Sequence, residues 1–457
     1  MRRSPIMLAL LLVVLQWSRL GAQGLPPTPP DRDSRLHGLI EAVSADRIER
    51  DIRTLAGFGT RHTLSDTLSA TRGIGAARRW IKTEFDRISA DCDGCLEVSY
   101  QRSLVQGAQR IPDPTWVVNV VAVLRGTSDP NRYVIMSGDV DSRISDPMNA
   151  VDDAPGANDN ASGMAGVLEA ARVITQSDRV FHASIVFAGL SGEEQGLYGG
   201  RHMASVAQEN GWSIEAVLNN DMIGNTAGIN NIVDNSTARV FSESPDVTAT
   251  PDDWLRMRFT GGEVDGRSRQ LARYVDRIAD LYFADLDMIM IYRLDRWGRG
   301  GHHRPFNEAG FPAVRIMETN EHYDRQHQDI RVEDGIAYGD VVESVDFDYA
   351  RKLTALNIAV LASLAWAPTP PENVVIEGAV QPSAKLRWTP SLDPIVAGYK
   401  VYWRDTTSPT WDRWRWVGRA HEAEMTDLVI DNYFFGVAAV GPGGNESPVV
   451  FPVPTSR

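Results

Sequence analysis

The chain has 457 residues, of which 43% are hydrophobic and 23% are charged. It is long enough for two domains, because single cores stop growing near about 250 to 300 residues. Its 46 basic and 60 acidic residues give a formal net charge of −14 at pH 7. Such a charge repels a phosphate backbone, so we expect no nucleic acid among the partners.

The N-terminus has the pattern of a secretory signal. Arg2 and Arg3 precede an apolar run at 6–15, and small residues follow at 22–24. The run is too short to span a bilayer comfortably, which favours cleavage over retention as an anchor. The sequence therefore predicts a signal peptide over 1–24, a proline-rich leader over 25–36, and no membrane span after cleavage. We expect an exported protein, periplasmic or extracellular.

The two cysteines of the chain, Cys92 and Cys95, occur together as CDGC. In the cytosol this spacing would suggest redox chemistry or half of a metal site. A second pair is missing, however, and export leads to an oxidising compartment. We therefore predict a disulfide that closes a local loop.

Helix-like and strand-like segments alternate through the region 37–365. Apolar residues recur at spacings of three and four through 37–90, which predicts packing helices. An amphipathic helix follows at 161–174, between strand-like runs that end in GDVDSR, GLSGEEQG and NNDMIGN. This alternation predicts an α/β domain whose acidic residues fall at the C-terminal ends of strands, where open α/β sheets build their sites.

The composition changes near residue 366. APTPPENV indicates a proline-rich linker over 366–372, and the tail from 373 lacks any helical period. Short strand-like runs such as GYKVYWR recur there at regular spacing. The tail resembles a fibronectin type III sandwich over nearly its whole length. We predict a small all-β domain over 373–457 that offers a surface for an extracellular ligand.

Several strand-like runs end in groups that can bind a metal. The pair Glu193-Glu194 follows an apolar strand, Asp221 follows another, and His327 comes after the strand GFPAVRIME. Exposed carboxylates have no reason to follow apolar strands repeatedly, so the set favours a metal site over a solvated acidic loop. Two acidic segments, GDVDSR and GANDNASG, add the remaining candidates: Asp139, Asp141 and Asp159.

The order of these motifs over about residues 40–365 resembles the secreted co-catalytic zinc exopeptidases, which include aminopeptidases, glutamate carboxypeptidases and glutaminyl cyclases. The resemblance implies a mixed β-sheet sandwiched between helices and two divalent metal ions, zinc above all. PGANDNASG is similar to the family segment whose aspartate bridges both ions and which contains a cis peptide, here between Asp159 and Asn160. The resemblance implies these further roles: Glu193 as general base, Glu194, Asp221 and His327 as ligands, and His303 in HHRPFNEAGFP as a substrate-side group.

One position departs from the family pattern. Where the pattern has His-x-Asp, this chain has Asp139-Val140-Asp141. Asp139 can bind a metal through oxygen, but that ion would then have no imidazole ligand. Oxygen-only coordination shifts preference from zinc toward harder ions, so manganese, magnesium or cobalt become candidates at this site. Asp141, which in the family orients the histidine, would face a like charge and be protonated or bonded elsewhere.

The leading interpretation is an aminopeptidase that hydrolyses N-terminal residues of peptides, with a metal-activated water and Glu193 as general base. Two alternatives stay open. A single-metal glutaminyl cyclase-like aminoacyltransferase would use the same glutamate as acid and base. A degenerate member would bind peptides or glycans without catalysis; Asp139 motivates this alternative, and the intact Glu193-Glu194 pair argues against it.

Overall fold

The structure is a computed structural model that describes residues 27–177 and 180–455. The predicted signal peptide lies outside these residues. Within them, eight strands form one mixed sheet: β1 (Leu96–Val105), β2 (Thr115–Leu124), β3 (Asp129–Asp139), β4 (Ala183–Leu190), β5 (Ser213–Asn220), β6 (Thr237–Ser242), β7 (Asp287–Ile291) and β8 (Ala313–Glu318).

The strands follow the order β1-β2-β4-β3-β5-β8-β6-β7 across the sheet. The central strands β4, β3, β5 and β8 run parallel to their neighbours in that group. β1 and β2 form an antiparallel hairpin at one edge, and β6 pairs antiparallel with β8 near the other. All eight residues of β4 are buried, as expected of a central strand covered on both faces.

Helices cover both faces of this sheet. They are α1 (Arg35–Glu41), α2 (Ala45–Ala56), α3 (Gly73–Asp91), α4 (Gly163–Thr175), α5 (Glu193–Gly196), α6 (Tyr198–Glu209), α7 (Pro251–Thr260), α8 (Arg267–Tyr282), α9 (His303–Glu308) and α10 (Phe347–Trp366). Alternate residues of β2 enter two different cores: Val120 and Ala122 join one, whereas Val121 and Val123 join the other. The fold confirms the prediction of an α/β domain with a mixed sheet between helices.

Local sequence explains where several helices begin. Ser44 caps α2 by accepting a hydrogen bond from the backbone N–H of Arg47, and Asp346 caps α10 by accepting one from Tyr349. Such caps contribute about 0.5 to 2 kcal/mol each. α10 is buried over almost its whole length, so its apolar side chains add about 1.5 to 3 kcal/mol each to the core.

Cys92 and Cys95 are joined by a disulfide at the end of α3, which confirms the predicted pairing. Further along, β9 (Arg331–Glu333) and β10 (Ile336–Tyr338) form a small hairpin, followed by a 3₁₀ turn at Val342–Ser344. Within 27–177 and 180–455, no helix is both long enough and apolar enough to cross a membrane.

The C-terminal part is all β in the described range. After α10 ends at Trp366, two further sheets appear. One contains β11 (Glu372–Glu377), β12 (Ala384–Thr389), β15 (Glu422–Met425) and β17 (Val453–Pro454), and the other contains β13 (Gly398–Asp405), β14 (Arg413–Gly418) and β16 (Tyr433–Val440). A separate core that includes Trp388, Tyr399 and Phe435 lies between them. The predicted likeness to fibronectin type III stays a prediction.

The C-terminal sheets are tied to the α/β part by buried charges. Glu446 accepts hydrogen bonds from Arg277 of α8 at 2.5 and 2.7 Å and from Lys400 of β13 at 2.8 Å. Burial would raise the pKa of Glu446, but the two cations outweigh it and lower the pKa to about 2. These contacts fix how the two parts of the molecule meet.

Candidate metal centre and active-site cleft

The acidic residues predicted to form a site lie at one edge of the large sheet. Asp139 ends β3, Asp221 follows β5, and the pair Glu193-Glu194 begins α5 just after β4. Since β3, β4 and β5 are parallel neighbours, their carboxyl ends meet at this edge. The position of the acids along the sequence therefore places them together in space.

Three of the predicted ligands converge. Asp159, Glu194 and His327 each offer one donor atom, and these atoms lie within 4.8 Å of one another. His327 Nε2 is 2.9 Å from Asp159 Oδ2 and 3.0 Å from Glu194 Oε1. Two carboxylate oxygens and an imidazole nitrogen form a donor set that suits zinc and leaves a position for water or substrate. We call this group the three-ligand cluster.

The turn that carries Asp159 is held by residues that the sequence did not single out. The peptide between Asp159 and Asn160 is cis, as predicted. The buried Asp340 accepts hydrogen bonds from the backbone N–H groups of Asn158 at 2.8 Å and Asp159 at 2.6 Å. The buried Arg61 donates to the carbonyl oxygens of Val140 and Gly156, at 2.9 Å each. Arg61 thus fixes the end of β3 against this turn.

Asp141 positions the two glutamates. Its carboxylate accepts hydrogen bonds from the backbone N–H of Glu193 at 3.2 Å and of Glu194 at 3.1 Å, and one from the Thr63 hydroxyl at 3.1 Å. Asp141 therefore forms its hydrogen bonds with groups other than Asp139. From the sequence we expected either this outcome or a protonated Asp141. Burial raises the pKa of Asp141 to about 6, and the charge of Glu194 adds to this shift.

Glu193 has the environment of a proton acceptor. Burial and the neighbouring charges, Glu194 foremost among them, raise its pKa well above the usual range. A carboxylate with a raised pKa takes a proton more readily, which is what a general base requires. Glu194, by contrast, accepts a hydrogen bond from Arg143 Nε at 2.7 Å, and Arg143 also contacts His327 Nδ1 at 2.6 Å. Arg143 orients both of these predicted ligands.

Asp139 lies outside the three-ligand cluster. Its Oδ1 is 2.6 Å from His302 Nδ1, and its Oδ2 accepts a hydrogen bond from Asn160 Nδ2 at 2.8 Å. Burial raises the pKa of Asp139 to about 8, although the hydrogen bond from Asn160 opposes the shift. An imidazole thus stands beside position 139 after all, supplied by His302 just before α9.

Asp221 is paired with a buried arginine. Its Oδ2 is 2.8 Å from Arg315 Nη2, and Arg315 also contacts Asp295 at 3.0 Å. The other oxygen of Asp221 is buried and, among the residues the structure describes, has no hydrogen-bond partner; the same holds for His302 Nε2. Burial raises the pKa of Asp221 well above its usual range despite the opposing charge of Arg315.

His303, the predicted substrate-side group, lies in the interior of the structure. Its side chain is fully buried, and its Nε2 is 2.7 Å from the carbonyl oxygen of Leu294. It does not line the cleft that contains Glu193. The substrate-side role of His303 stays a prediction; here α9 begins at His303, and its imidazole lies against the loop at Leu294.

The predicted base and the three-ligand cluster open into a cleft of about 550 Å³. Glu193, Glu194, Asp159, Asp221 and His327 all line it. Peptide-sized ligands fit clefts of this size. The arrangement combines a candidate cation site, a proton acceptor and a substrate channel in one place.

An α/β sheet that carries such a cluster beside a further glutamate is the arrangement expected of a metallopeptidase. Residues 119–341 match the model of "Peptidase family M28". A probable zinc metalloprotease of Leptosphaeria maculans is 41% identical over 432 residues, which are 94% of this chain and 100% of the relative. A probable zinc metalloprotease of Pyricularia oryzae is 41% identical over 93% of this chain and 85% of its own length. The chain belongs to peptidase family M28, which confirms the prediction of a metallopeptidase.

Solved structures agree with this fold. LapA aminopeptidase of Legionella pneumophila matches with a TM-score of 0.51 at 19% identity, covering 75% of this chain and 78% of its own. A glutaminyl cyclase of Macrostomum lignano matches with a TM-score of 0.52 at 14% identity, covering 75% of this chain and 98% of its own. At these identities the likeness concerns the fold.

Proposed function

We propose that the protein is a zinc-dependent aminopeptidase that removes N-terminal residues from peptides. The observation that carries the proposal is the three-ligand cluster of Asp159, Glu194 and His327 beside Glu193 in an open cleft. Membership of family M28 supports the peptidase chemistry, and the fold shared with an aminopeptidase is consistent with it.

Each residue of the site has a separate role in the proposed hydrolysis. A zinc ion, when bound by Asp159, Glu194 and His327, supplies Lewis acidity to the scissile carbonyl and to water. Glu193 takes a proton from the attacking water and returns it to the leaving amine. Asp141 fixes the positions of Glu193 and Glu194 by accepting hydrogen bonds from their backbone N–H groups. Arg143 orients Glu194 and His327 from the side.

We further propose a second ion, held by Asp139, Asp221 and the shared Asp159. Its support is the buried Oδ1 of Asp221, which has no partner among the described residues. The three-ligand cluster suits zinc, whereas the Asp139 side suits manganese, magnesium or cobalt as well as zinc, because its donors are oxygens. This second ion should be the more weakly held, because Asp139 and Asp221 already have protein partners.

Export and the role of the C-terminal part belong to the same proposal. The N-terminal pattern supports secretion, and the Cys92–Cys95 disulfide suits an oxidising compartment. The two C-terminal sheets with a core between them support a fibronectin type III-like domain, which would offer a surface to an extracellular ligand.

A single assay separates the proposed function from its alternatives. The zinc-loaded protein is given the same peptide with a free and with an acetylated N-terminus, and a peptide that begins with glutamine. An aminopeptidase releases the first residue from the free peptide alone. A glutaminyl cyclase instead converts the glutamine peptide with loss of ammonia and releases no amino acid. If the zinc-loaded protein changes none of these peptides, the aminopeptidase proposal fails.

A further inference from the structure

The cleft beside Glu193 is rich in arginine, although the chain as a whole carries a net charge of −14. Among the described residues, six arginines line it: Arg110, Arg143, Arg201, Arg296, Arg299 and Arg304. An excess of one charge in a concave site focuses the electrostatic potential and attracts ligands of the opposite charge. What matters is how many of these cations are already neutralised.

Two of the six are committed to partners inside the protein. Arg143 contacts Glu194 at 2.7 Å, and Arg296 contacts Glu321 at 2.9 Å and Asp295 at 3.3 Å. The side chains of both are mostly buried. These two arginines stabilise the site through their ion pairs, so their charges are already neutralised and contribute little to binding a ligand.

The other four are less well neutralised. Arg201 and Arg304 share a single carboxylate, Glu308, at 3.0 and 2.7 Å. Arg110 donates to the carbonyl oxygen of Glu194 at 2.6 Å and, within the described part of the chain, pairs with no carboxylate. The exposed Arg299 has no side-chain hydrogen bond or ion pair among the described residues. We call these four residues the arginine rim.

The acids of the cleft do not balance this rim. Asp159 faces His327 at 2.9 Å, Glu194 faces Arg143, and Asp221 faces Arg315 at 2.8 Å. Each of these three already has a cationic or imidazole partner. The fourth acid of the cleft, Glu193, makes no ion pair among the described residues, so it and Glu308 offset at most two of the four rim arginines. The charge that remains toward the open side of the cleft is therefore positive.

The rim lies next to the reacting groups. Arg201 belongs to α6, which follows Glu193 and Glu194 directly, and Arg110 touches the backbone of Glu194 itself. Arg299 and Arg304 belong to the segment that leads into and through α9, and Arg304 contacts Glu308, the same carboxylate that Arg201 contacts. A substrate whose scissile bond lies at Glu193 would pass within reach of these guanidinium groups.

We propose that this cleft selects peptides that carry a carboxylate within one or two residues of the scissile bond, and this inference rests on the proposed function. Guanidinium groups bind carboxylates through paired charge-assisted hydrogen bonds, which are stronger than neutral ones. The carboxylate has two possible sources in a peptide: the side chain of an N-terminal aspartate or glutamate, or the free C-terminus of a di- or tripeptide.

Four tripeptides distinguish these sources: Asp-Ala-Ala and Asn-Ala-Ala, each with a free and with an amidated C-terminus. We expect kcat/KM to be roughly tenfold higher for a peptide with the recognised carboxylate than for its neutral partner. The advantage should shrink as salt is raised, because exposed charges are screened. A preference in the side-chain pair alone, or in the C-terminal pair alone, identifies the source. Equal kcat/KM across all four peptides overturns the proposal.

Variants locate the effect. Arg299→Gln and Arg110→Gln should each lower the ratio of kcat/KM between the charged and the neutral peptide, by up to about tenfold. Arg258→Gln is the matched control, because Arg258 is an exposed arginine of α7 outside the cleft, and it removes the same net charge. If Arg258→Gln lowers the ratio as much as the rim variants do, the selectivity does not come from the rim.

A binding measurement keeps this inference separate from the proposed function. The Glu193→Gln protein, loaded with zinc, is titrated calorimetrically with the same four peptides. If no peptide is hydrolysed by the unmodified protein, the aminopeptidase proposal fails while the rim is still tested. Tighter binding of the charged peptides, lost when Arg299→Gln is added to Glu193→Gln, supports recognition by the arginine rim. Equal binding of all four peptides overturns that recognition.

Discussion

The two sides of the predicted metal centre differ in what stands opposite their carboxylates. On one side, Asp159 and Glu194 converge on His327, and three donor atoms lie within 4.8 Å. On the other side, Asp139 is bonded to His302 and Asn160, and Asp221 to the fully buried Arg315. Both sides carry acids at strand ends. The difference teaches that such an acid is available to a cation where several donors converge, whereas a protein partner that already binds the acid weakens any cation site it could form.

The largest expected effect comes from changing Glu193, whose pKa is raised by carboxylates of both sides. Glu193→Gln should lower kcat about a hundredfold to ten-thousandfold, because only the proton acceptor is removed. Zinc content and the unfolding transition should stay unchanged, since Glu193 is not among the three converging ligands. Steady-state kinetics and metal analysis of the purified protein measure both.

The matched control for that change is Glu209→Gln at the exposed end of α6, which should leave kcat within twofold of the unmodified protein. Turnover by Glu193→Gln at the level of this control would remove Glu193 from the mechanism.

We call the side of the site with Asp139 and Asp221, whose carboxylates already have protein partners, the paired side. There we predict a structural role for Arg315. Arg315→Met leaves Asp221 buried without its counter-ion and leaves Asp295 with Arg296 alone, and breaking a buried pair in this way costs about 3 to 5 kcal/mol of the free energy of unfolding. Urea unfolding at pH 7 measures the loss. Arg87→Met serves as control, because Arg87 makes ion pairs on an exposed helix surface that contribute about 0 to 1 kcal/mol. Equal losses in the two variants would contradict the distinction between the two sides.

Glu446 tests, far from the metal centre, whether a buried carboxylate paired with protein cations stabilises the fold. Its pKa is lowered to about 2 from an ordinary value of 4.5, because Arg277 and Lys400 outweigh the effect of burial. A carboxylate with a lowered folded-state pKa stabilises the fold above its unfolded pKa, and that contribution is lost as pH falls from about 4.5 toward about 2. The contribution at neutral pH is about 3 kcal/mol.

Glu446→Gln should therefore lower the free energy of unfolding at pH 7, and the gap to the unmodified protein should narrow steadily below about pH 4.5. Glu424→Gln, at an exposed position of β15, provides the reference. A gap that stays constant from pH 7 to pH 3 would mean that the buried charge of Glu446 does not stabilise the interface.

Sequence alone predicted much of the fold and part of the site. The mixed α/β sheet, the disulfide, the cis peptide and the meeting of acids at one sheet edge follow from local patterns and from the family resemblance. Position along a strand fixes such features, because parallel strands bring their carboxyl ends together. The convergence of Asp159, Glu194 and His327 is the part of the ligand set that the structure brings together.

The residues that sequence reasoning missed act across long separations. Arg61, Asp340 and Arg315 have no local signal, since the contacts that hold the site join each of them to a residue 79 to 182 positions away. His302 was not singled out by the sequence, although it is adjacent to His303 in GHHRPF, and only the start of α9 decides which imidazole faces Asp139. A basic residue directly after an acidic segment, as Arg143 is in GDVDSR, is the one signal that was present.

The smallest predicted effect concerns metal content. It tests whether substitutions at Asp139 and His302 can make the paired side retain a zinc ion. The family pattern has an imidazole at position 139, whereas here Asp139 ends β3 and the imidazole of His302 lies 2.6 Å from its carboxylate. The double exchange Asp139→His with His302→Asp restores a strand-end imidazole and keeps a carboxylate to orient it, which ligand histidines require.

After dialysis against a mild chelator, the unmodified protein should keep about one zinc ion per chain, at the three-ligand cluster, and lose the second. The double exchange should keep two, because zinc favours a nitrogen ligand over a further carboxylate. The single change Asp139→His is the internal control: it sets one imidazole against another without a carboxylate between them, so it should retain less of the second ion than the double exchange does. If all three proteins keep the same number of zinc ions, position 139 does not contribute to a metal site, and Asp139 with His302 is a structural pair.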